Sequence, residues 1–205
     1  MHGVLAGRAP TGVRVHPMGL CESDDVGPGT RVWAFAHVLP GAVVGRDCNI
    51  CDGAFVVDGA VLGDRVTVKN ATLVFRGVTC EDEVFLGPNV LFTNDLRPRT
   101  AIRKGADELV PTLVRRGASL GAGVVVVCGV EIGAYAFAAA GSVVTADVPA
   151  HAFVAGNPAR IRGWVCRCGD RLNADLYCAA CSSAYMQQST GDGLRPNDRG
   201  PDSHS

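Results

Sequence analysis

A chain of 205 residues, 47% hydrophobic and 19% charged, can bury a sizeable core, which excludes a wholly disordered protein and points to one globular domain with minor appendages. A net charge of −1 and a pI near 6.5 exclude a broad attraction for phosphate backbones, so nucleic acid is not an expected partner. No apolar run approaches the roughly 20 residues of a membrane span, the N-terminus lacks a basic-then-apolar leader, and the nine scattered cysteines suit reduced thiols; a cytoplasmic protein with no membrane partner is expected.

Residues 1–25 are read as an N-terminal cap, one imperfect turn of structure opening near His16 and Pro17. At Val26 a step of six begins. It runs through Val32, Val38, Val44, Ile50, Val56, Leu62, Val68, Val74, Cys80 and Leu86 to Phe92, then resumes as Val114, Leu120, Val126, Ile132, Ala138 and Val144. Fifteen of these 18 positions are Val, Ile or Leu, so the period is a property of the chain and not of a few residues. Two residues earlier the side chain is usually small, as at Thr30, Ala36, Ala42, Cys48, Ala54, Ala60, Ala118 and Ala136. The residue after is often Gly, as at positions 27, 45, 63, 87, 121 and 133, where a turn geometry that a Cβ would strain is expected. A period of six without a helical period of 3.6 means two-residue strands joined by turns. Three hexads, 18 residues, close one triangular coil, and stacked coils turn the inward residues into continuous ladders. The fold class expected for residues 26–164 is therefore all-β, a parallel β-helix of about six coils. From Arg97 to Thr112 the period is interrupted by a charged stretch holding Arg97, Arg99, Arg103, Lys104, Asp107 and Glu108. Such a loop on a rigid scaffold is a place for function, or else a solvated excursion.

After Trp164 the repeat is over. Residues 165–187 contain Cys166, Cys168, Cys178 and Cys181, two short cysteine pairs nine residues apart. They fit a four-thiolate zinc site that would order a segment too small to fold alone, or reduced thiols packed as small hydrophobes. Cys48 and Cys51, also spaced CxxC, flank inward Ile50 and are read as packing residues. Residues 188–205 are polar and rich in Pro and Gly, and are expected to be disordered.

The segment RVTVKNATLVFRGVTCEDEVFLGPNVLFTNDLRPR, followed by LVRRGASLGAGVVVVCGVEIGAYAFAAAGSVVTADVPAHAFVAGNPARIRGW, resembles bacterial nucleotide-sugar 3-N-acetyltransferases, which acetylate UDP- or dTDP-linked 3-amino sugars. The resemblance spans about Val26 to Trp164 and rests on GPxxxFTN, VCG, GNPAR and the GW close. It implies a left-handed helix, a homotrimer, and acetyl-CoA as co-substrate in a groove between neighbouring chains. It also implies that Asn94, in FTN, stands beside the sugar amine with Glu81, Asp82 and Glu83 close by. The cofactor is implied to run along Ala138, Gly141, Asn157 and Arg160. Departures fall at Trp33–Ala34–Phe35, Cys51–Asp52–Gly53, Asn70–Ala71 and Asp95, which bear on the sugar more than on the reaction.

Acyl transfer to a hydroxyl calls for a general base, whereas a neutral amine is already a good nucleophile. The five histidines are His2, His16, His37, His151 and His204, and none but His151 lies between the acidic turn and GNPAR. That distribution favours an amino acceptor. Asn94 is no strong base, but its amide oxygen could aim the amine at the thioester, and the surplus proton could leave through Glu83, Asp95, water or the departing thiolate. Backbone N–H groups around Gly141 are candidates for an oxyanion site. Residues 18 apart stack, so Asn94 should lie above Arg76 and Glu83 above Arg65. Arg76 and Lys69 are then candidate cations for a nucleotide diphosphate or sugar carboxylate, with Arg97 in the loop beyond. A γ-type carbonic anhydrase would need a histidine triad, and only His37 sits in the regular coils. A nucleotidyltransferase would need a further α/β domain. The remaining alternatives are another amine or hydroxyl acceptor, or a non-catalytic β-helix scaffold.

Overall fold

The computed structural model describes residues 10–188 and 193–197. Every one of the 18 step-six positions is buried, and so are all eight small residues two positions before them. The physical reason is the two-residue strand: its second side chain must point inward because the chain turns immediately afterwards, so one position in six faces the axis. The result is a parallel β-helix with three flat faces. Face 1 stacks strands Arg14–Val15, Arg31–Val32, Asn49–Ile50, Thr67–Val68, Phe85–Leu86, Ser119–Leu120, Phe137–Ala138 and Ala152–Ala155. Face 2 runs from Leu20–Cys21 through Leu73–Val74 and Leu91–Phe92 to Val143–Val144, and face 3 from Val43–Val44 through Val78–Cys80 and Thr112–Val114 to Glu131–Ile132. Five coils have a strand in all three faces. The turns at either end close their third side with a single bridge, Val26 to Val44 and Val148 to Ile132.

Register is 18 residues per coil throughout faces 1 and 2 up to Phe85–Leu86 and Leu91, as in Asn49 over Arg31 and Thr67 over Asn49. Across the interruption it becomes 34, with Val114 over Cys80, and the inward ladder continues without a break. The glycines after inward positions have a different reason from the expected turn geometry. None of those six has a left-handed φ. Instead, the next coil passes so close that a Cβ at Gly63 would lie 2.8 Å from the Asp82 nitrogen, and one at Gly133 2.4 Å from the Ala150 nitrogen.

The last coil is closed by Arg160–Trp164, which turns back antiparallel on Ala152–Ala155. A small second core follows, made of Cys166, Cys178, Tyr185 and Leu194, with Trp164 packed against both cores. The expectation of disorder beyond residue 188 is corrected at Leu194–Pro196, a strand paired with Ser183–Gln187 and anchored by the Leu194 N–H on the Ala150 carbonyl. The rest of that segment, beyond residue 197, lies outside the described residues. Among the described residues no helix is long and apolar enough to cross a membrane.

Candidate active site

The three faces meet in three edges, and the predicted site residues divide among them. Arg76, Asn94, Asp95 and Arg97 fall on the edge between faces 2 and 3, from which the 97–112 loop emerges. The Asn94 carbonyl accepts the Val110 N–H at 2.9 Å, closing the loop at its base. The Asn94 side chain is half-buried, and its amide has no hydrogen-bond partner among the described residues. Val110 in turn walls a groove of ≈ 620 Å³ that runs over face 3 past Thr79, Leu113 and Glu131.

Asp95 is tied to Lys104, whose ammonium holds the carboxyl below its ordinary range, helped by the Arg97 N–H at 2.8 Å. It is thus a weak proton acceptor with a structural task, fixing the loop against its own root. Arg76 stacks under Asn94 in register, as the 18-residue step requires, but its guanidinium pairs with Asp58 on the coil below and lies along Gly59. Arg97 is exposed on the loop.

The acidic turn lies elsewhere. Glu81 and Glu83 are on the edge between faces 3 and 1, a whole face away from Asn94 within one chain. There Glu81 takes Arg115 at 3.0 Å and the Arg116 N–H at 2.9 Å. Glu83 takes Arg65 at 2.9 Å and Arg116 at 3.1 Å. The two guanidiniums, Arg116 foremost, hold the Glu83 carboxyl down, so it is unsuited to collecting a proton near neutral pH. Arg115 completes the array on Glu131 at 2.8 Å. Asp82 continues a backbone staircase, its Oδ1 accepting the Asp64 N–H as Asp64 accepts that of Arg46.

Lys69, Gly141 and Asn157 lie on the third edge, between faces 1 and 2, with Lys69 three coils below the other two. Gly141 sits at φ +71 with nothing within 4 Å of a built Cβ, so this turn is open to a ligand's close approach. Its N–H, however, is donated to Ala122 at 2.8 Å, and the expected oxyanion role of that group is corrected accordingly. Ala138 is 1% exposed and points into the core, so its side chain cannot line a cofactor path. Asn157 and Arg160 are both exposed at the end of the helix, in the turn that caps Val143. His37 pairs with Glu22 at 2.6 Å on face 2, three coils below Leu91, while His151 is buried at the C-terminal end. Among the described residues no histidine adjoins Asn94.

The sequence reasoning missed Arg115 and Arg116. Their signal was present: the 97–112 insertion displaces them from Glu81 and Glu83 by more than 18 residues, and they stack once the insertion is subtracted. Lys104 was noted only as part of a charged run.

The four cysteines of the tail do converge, every Sγ lying within 4.8 Å of the others. Elsewhere Cys48, Cys51 and Cys80 are buried in the helix as packing residues, and burial pushes the Cys80 thiol up to about 12.

A three-faced parallel β-helix with open edge turns and an extruded loop defines the class of hexapeptide-repeat acetyltransferases. A hexapeptide-repeat acetyltransferase of Vibrio cholerae, solved with acetyl coenzyme A, superposes with a TM-score of 0.53 at 27% identity, over 60% of this chain and 70% of that one. An acetyltransferase domain from Neisseria gonorrhoeae shares the fold, with a TM-score of 0.52 at 23% identity over 73% of this chain and 57% of that one. Among curated proteins, a dTDP-3-amino-3,6-dideoxy-α-D-galactopyranose 3-N-acetyltransferase of Aneurinibacillus thermoaerophilus is 49% identical over 158 residues, 77% of this chain and 81% of that protein. A serine acetyltransferase of Arabidopsis thaliana is 38% identical over 62% of this chain, which spans only 29% of that protein. A scan against protein-family models finds no match. The chain belongs to the nucleotide-amino-sugar N-acetyltransferase family of hexapeptide-repeat enzymes, and is itself an acetyltransferase.

Proposed function

We propose that this enzyme transfers the acetyl group of acetyl-CoA to the 3-amino group of a nucleotide-linked sugar. The observation that carries this reading is Asn94, a half-buried amide left without a partner at the root of the loop. An amide so placed is available to accept an N–H from the acceptor amine and point its lone pair at the thioester carbon. The amine attacks that carbon, the carbonyl oxygen takes up negative charge, the C–S bond breaks, and CoA leaves as its thiolate while the amide forms. The proton lost from nitrogen goes to water or to the thiolate, because Asp95 and Glu83 are both held in their ionised forms by cations. A hydroxyl acceptor fits less well, since no histidine adjoins Asn94 among the described residues.

The acceptor edge carries Asn94, and the open turns of Gly141 and Asn157 lie on the edge across face 2. One chain cannot bring them together, which favours a homotrimer with each site shared by two copies. Face 2 suits that role, because its outward row of Phe55, Leu73, Leu91, Val125 and Val143 is apolar and only half-buried in the single chain. Nine cysteines without a disulfide fit a cytoplasmic setting. The deciding experiment follows CoA release from acetyl-CoA with UDP- and dTDP-linked 3-amino and 4-amino sugars. Turnover confined to a 3-amino sugar supports the reading, and turnover only with hydroxyl acceptors overturns it. Light scattering showing a fully active monomer would overturn the shared site.

A further inference from the structure

The acetyl-transfer reading makes no use of residues 165–197. They fold back over the last coil around a core of four buried side chains, two of them cysteines. Apolar burial on that scale does not hold some thirty residues in place. Something else must close this unit, and the arrangement of its thiols shows what.

Cys166 and Cys181 Sγ are 3.3 Å apart, Cys168 and Cys178 Sγ are 3.6 Å apart, and all four atoms lie within 4.8 Å of one another. These separations are too long for disulfides. They are close to the S–S edge of about 3.8 Å in a tetrahedron with metal–sulfur bonds of about 2.3 Å. The first pair sits on a tight turn in which the Gly169 N–H is donated to the Cys166 carbonyl and the Cys166 N–H to that of Asp170. Gly169 takes φ +97, a conformation that favours glycine.

The surroundings are those of thiolates and not of thiols. The Tyr185 hydroxyl lies 3.1 Å from Cys166 Sγ and accepts the Arg167 N–H at 3.0 Å, which leaves its own proton directed at the sulfur. The Ser183 hydroxyl lies 3.2 Å from Cys181 Sγ, within reach to donate to it. Donors aimed at metal-bound sulfur are the usual outer partners of a thiolate site.

We propose that Cys166, Cys168, Cys178 and Cys181 bind one structural zinc ion, and that this ion clamps residues 165–197 onto the last coil as a C-terminal cap. The clamp acts through Tyr185. Its hydroxyl touches Cys166, and its ring packs against His151 with centroids 4.7 Å apart. His151 stacks in turn on Tyr135 of the coil below and reaches Val165 through Nδ1 at 2.9 Å. The far end of the cap is pinned where Leu194 meets Ala150. Zinc is favoured over a redox metal cluster by the count of four thiolates closing a single tetrahedron with no open position.

The test uses the full chain, purified reduced and without chelator. Metal analysis should return one zinc per chain, and X-ray absorption should show four sulfur neighbours at about 2.3 Å. A zinc-free protein whose thiols titrate as reduced and which takes up no added zinc overturns the proposal, as do disulfides linking these cysteines. Cys168→Ser and Cys181→Ser alter the two exposed ligands, so the buried pair is left intact. Each should weaken zinc retention against a chromogenic chelator at least tenfold, and one zinc per chain retained by both variants would refute the site. Trypsin should then cut at Arg167 and Arg171, exposed in the cap, only after zinc removal, leaving residues 26–164 intact. Cutting at the same rate with and without zinc would refute the clamp. None of these readouts depends on acetyl transfer.

Discussion

Replacing Asn94 by alanine separates a positioning role from a structural one. The side-chain amide makes no intrachain hydrogen bond among the described residues, so its removal orphans no partner. The backbone bond from Val110 to the Asn94 carbonyl, which closes the loop, survives the substitution. Stability should therefore move by no more than about 0.5 kcal/mol, the range of a substitution that breaks no packing or network. One aligned hydrogen bond contributes about 0.5–1.5 kcal/mol, and about 1.4 kcal/mol is a factor of ten in rate. Turnover should fall at least about tenfold with saturating acetyl-CoA and amino sugar, while the melting temperature stays within about 2 °C of wild type. Because an amide positions but does not deprotonate, the drop should be uniform from pH 7 to 9. Unchanged turnover would remove Asn94 from the reaction. A loss of activity tracked by a drop of several degrees in melting temperature would show that the residue holds the fold instead.

Leu120→Ala should cost about 2–5 kcal/mol in denaturant unfolding, because its neighbour above in the ladder is already Ala138 and cannot collapse into the space. His151 is buried and neutral, and desolvation lowers its proton affinity. The unfolded chain therefore takes up a proton first as pH falls below about 6.5. Stability is full above that value and declines below it until the folded value is reached, with a slope of at most about 1.4 kcal/mol per pH unit. His151→Asn, which accepts the left-handed φ of +63 at this position, should flatten that part of a melting profile measured from pH 7.5 to 5.5. Lys104→Met releases Asp95 from its exposed ion pair; KM for the amino sugar should rise severalfold, with unfolding stability changed by less than about 1 kcal/mol.

The core was legible because a solenoid imposes one local rule, and residues as different as Cys80, Phe92 and Ala138 obey it through position alone. Stacking was legible too: Glu83 does sit on Arg65, 18 residues away. The glycines were placed correctly but for the wrong reason, since closeness to the next coil is a long-range fact that a six-residue window does not contain. The site was less readable for a related cause. Motif order along the chain says nothing of edges, and Glu81 precedes Asn94 by less than one coil, yet a full face parts them. The strand at Leu194–Pro196 was invisible because its anchor, Ala150, belongs to the last coil.

The loop between Phe92 and Thr112 enters and leaves the helix without shifting the ladder by a single step: Val114 covers Cys80 as it would have done had no residues intervened. The core has no memory of how long that excursion is. Natural variation could lengthen, shorten or replace the segment beside Asn94 without renegotiating one inward contact. Acceptor choice in this architecture is thereby free to diversify at a rate uncoupled from foldability, and the rigid coils serve as an inheritance that each new specificity receives intact.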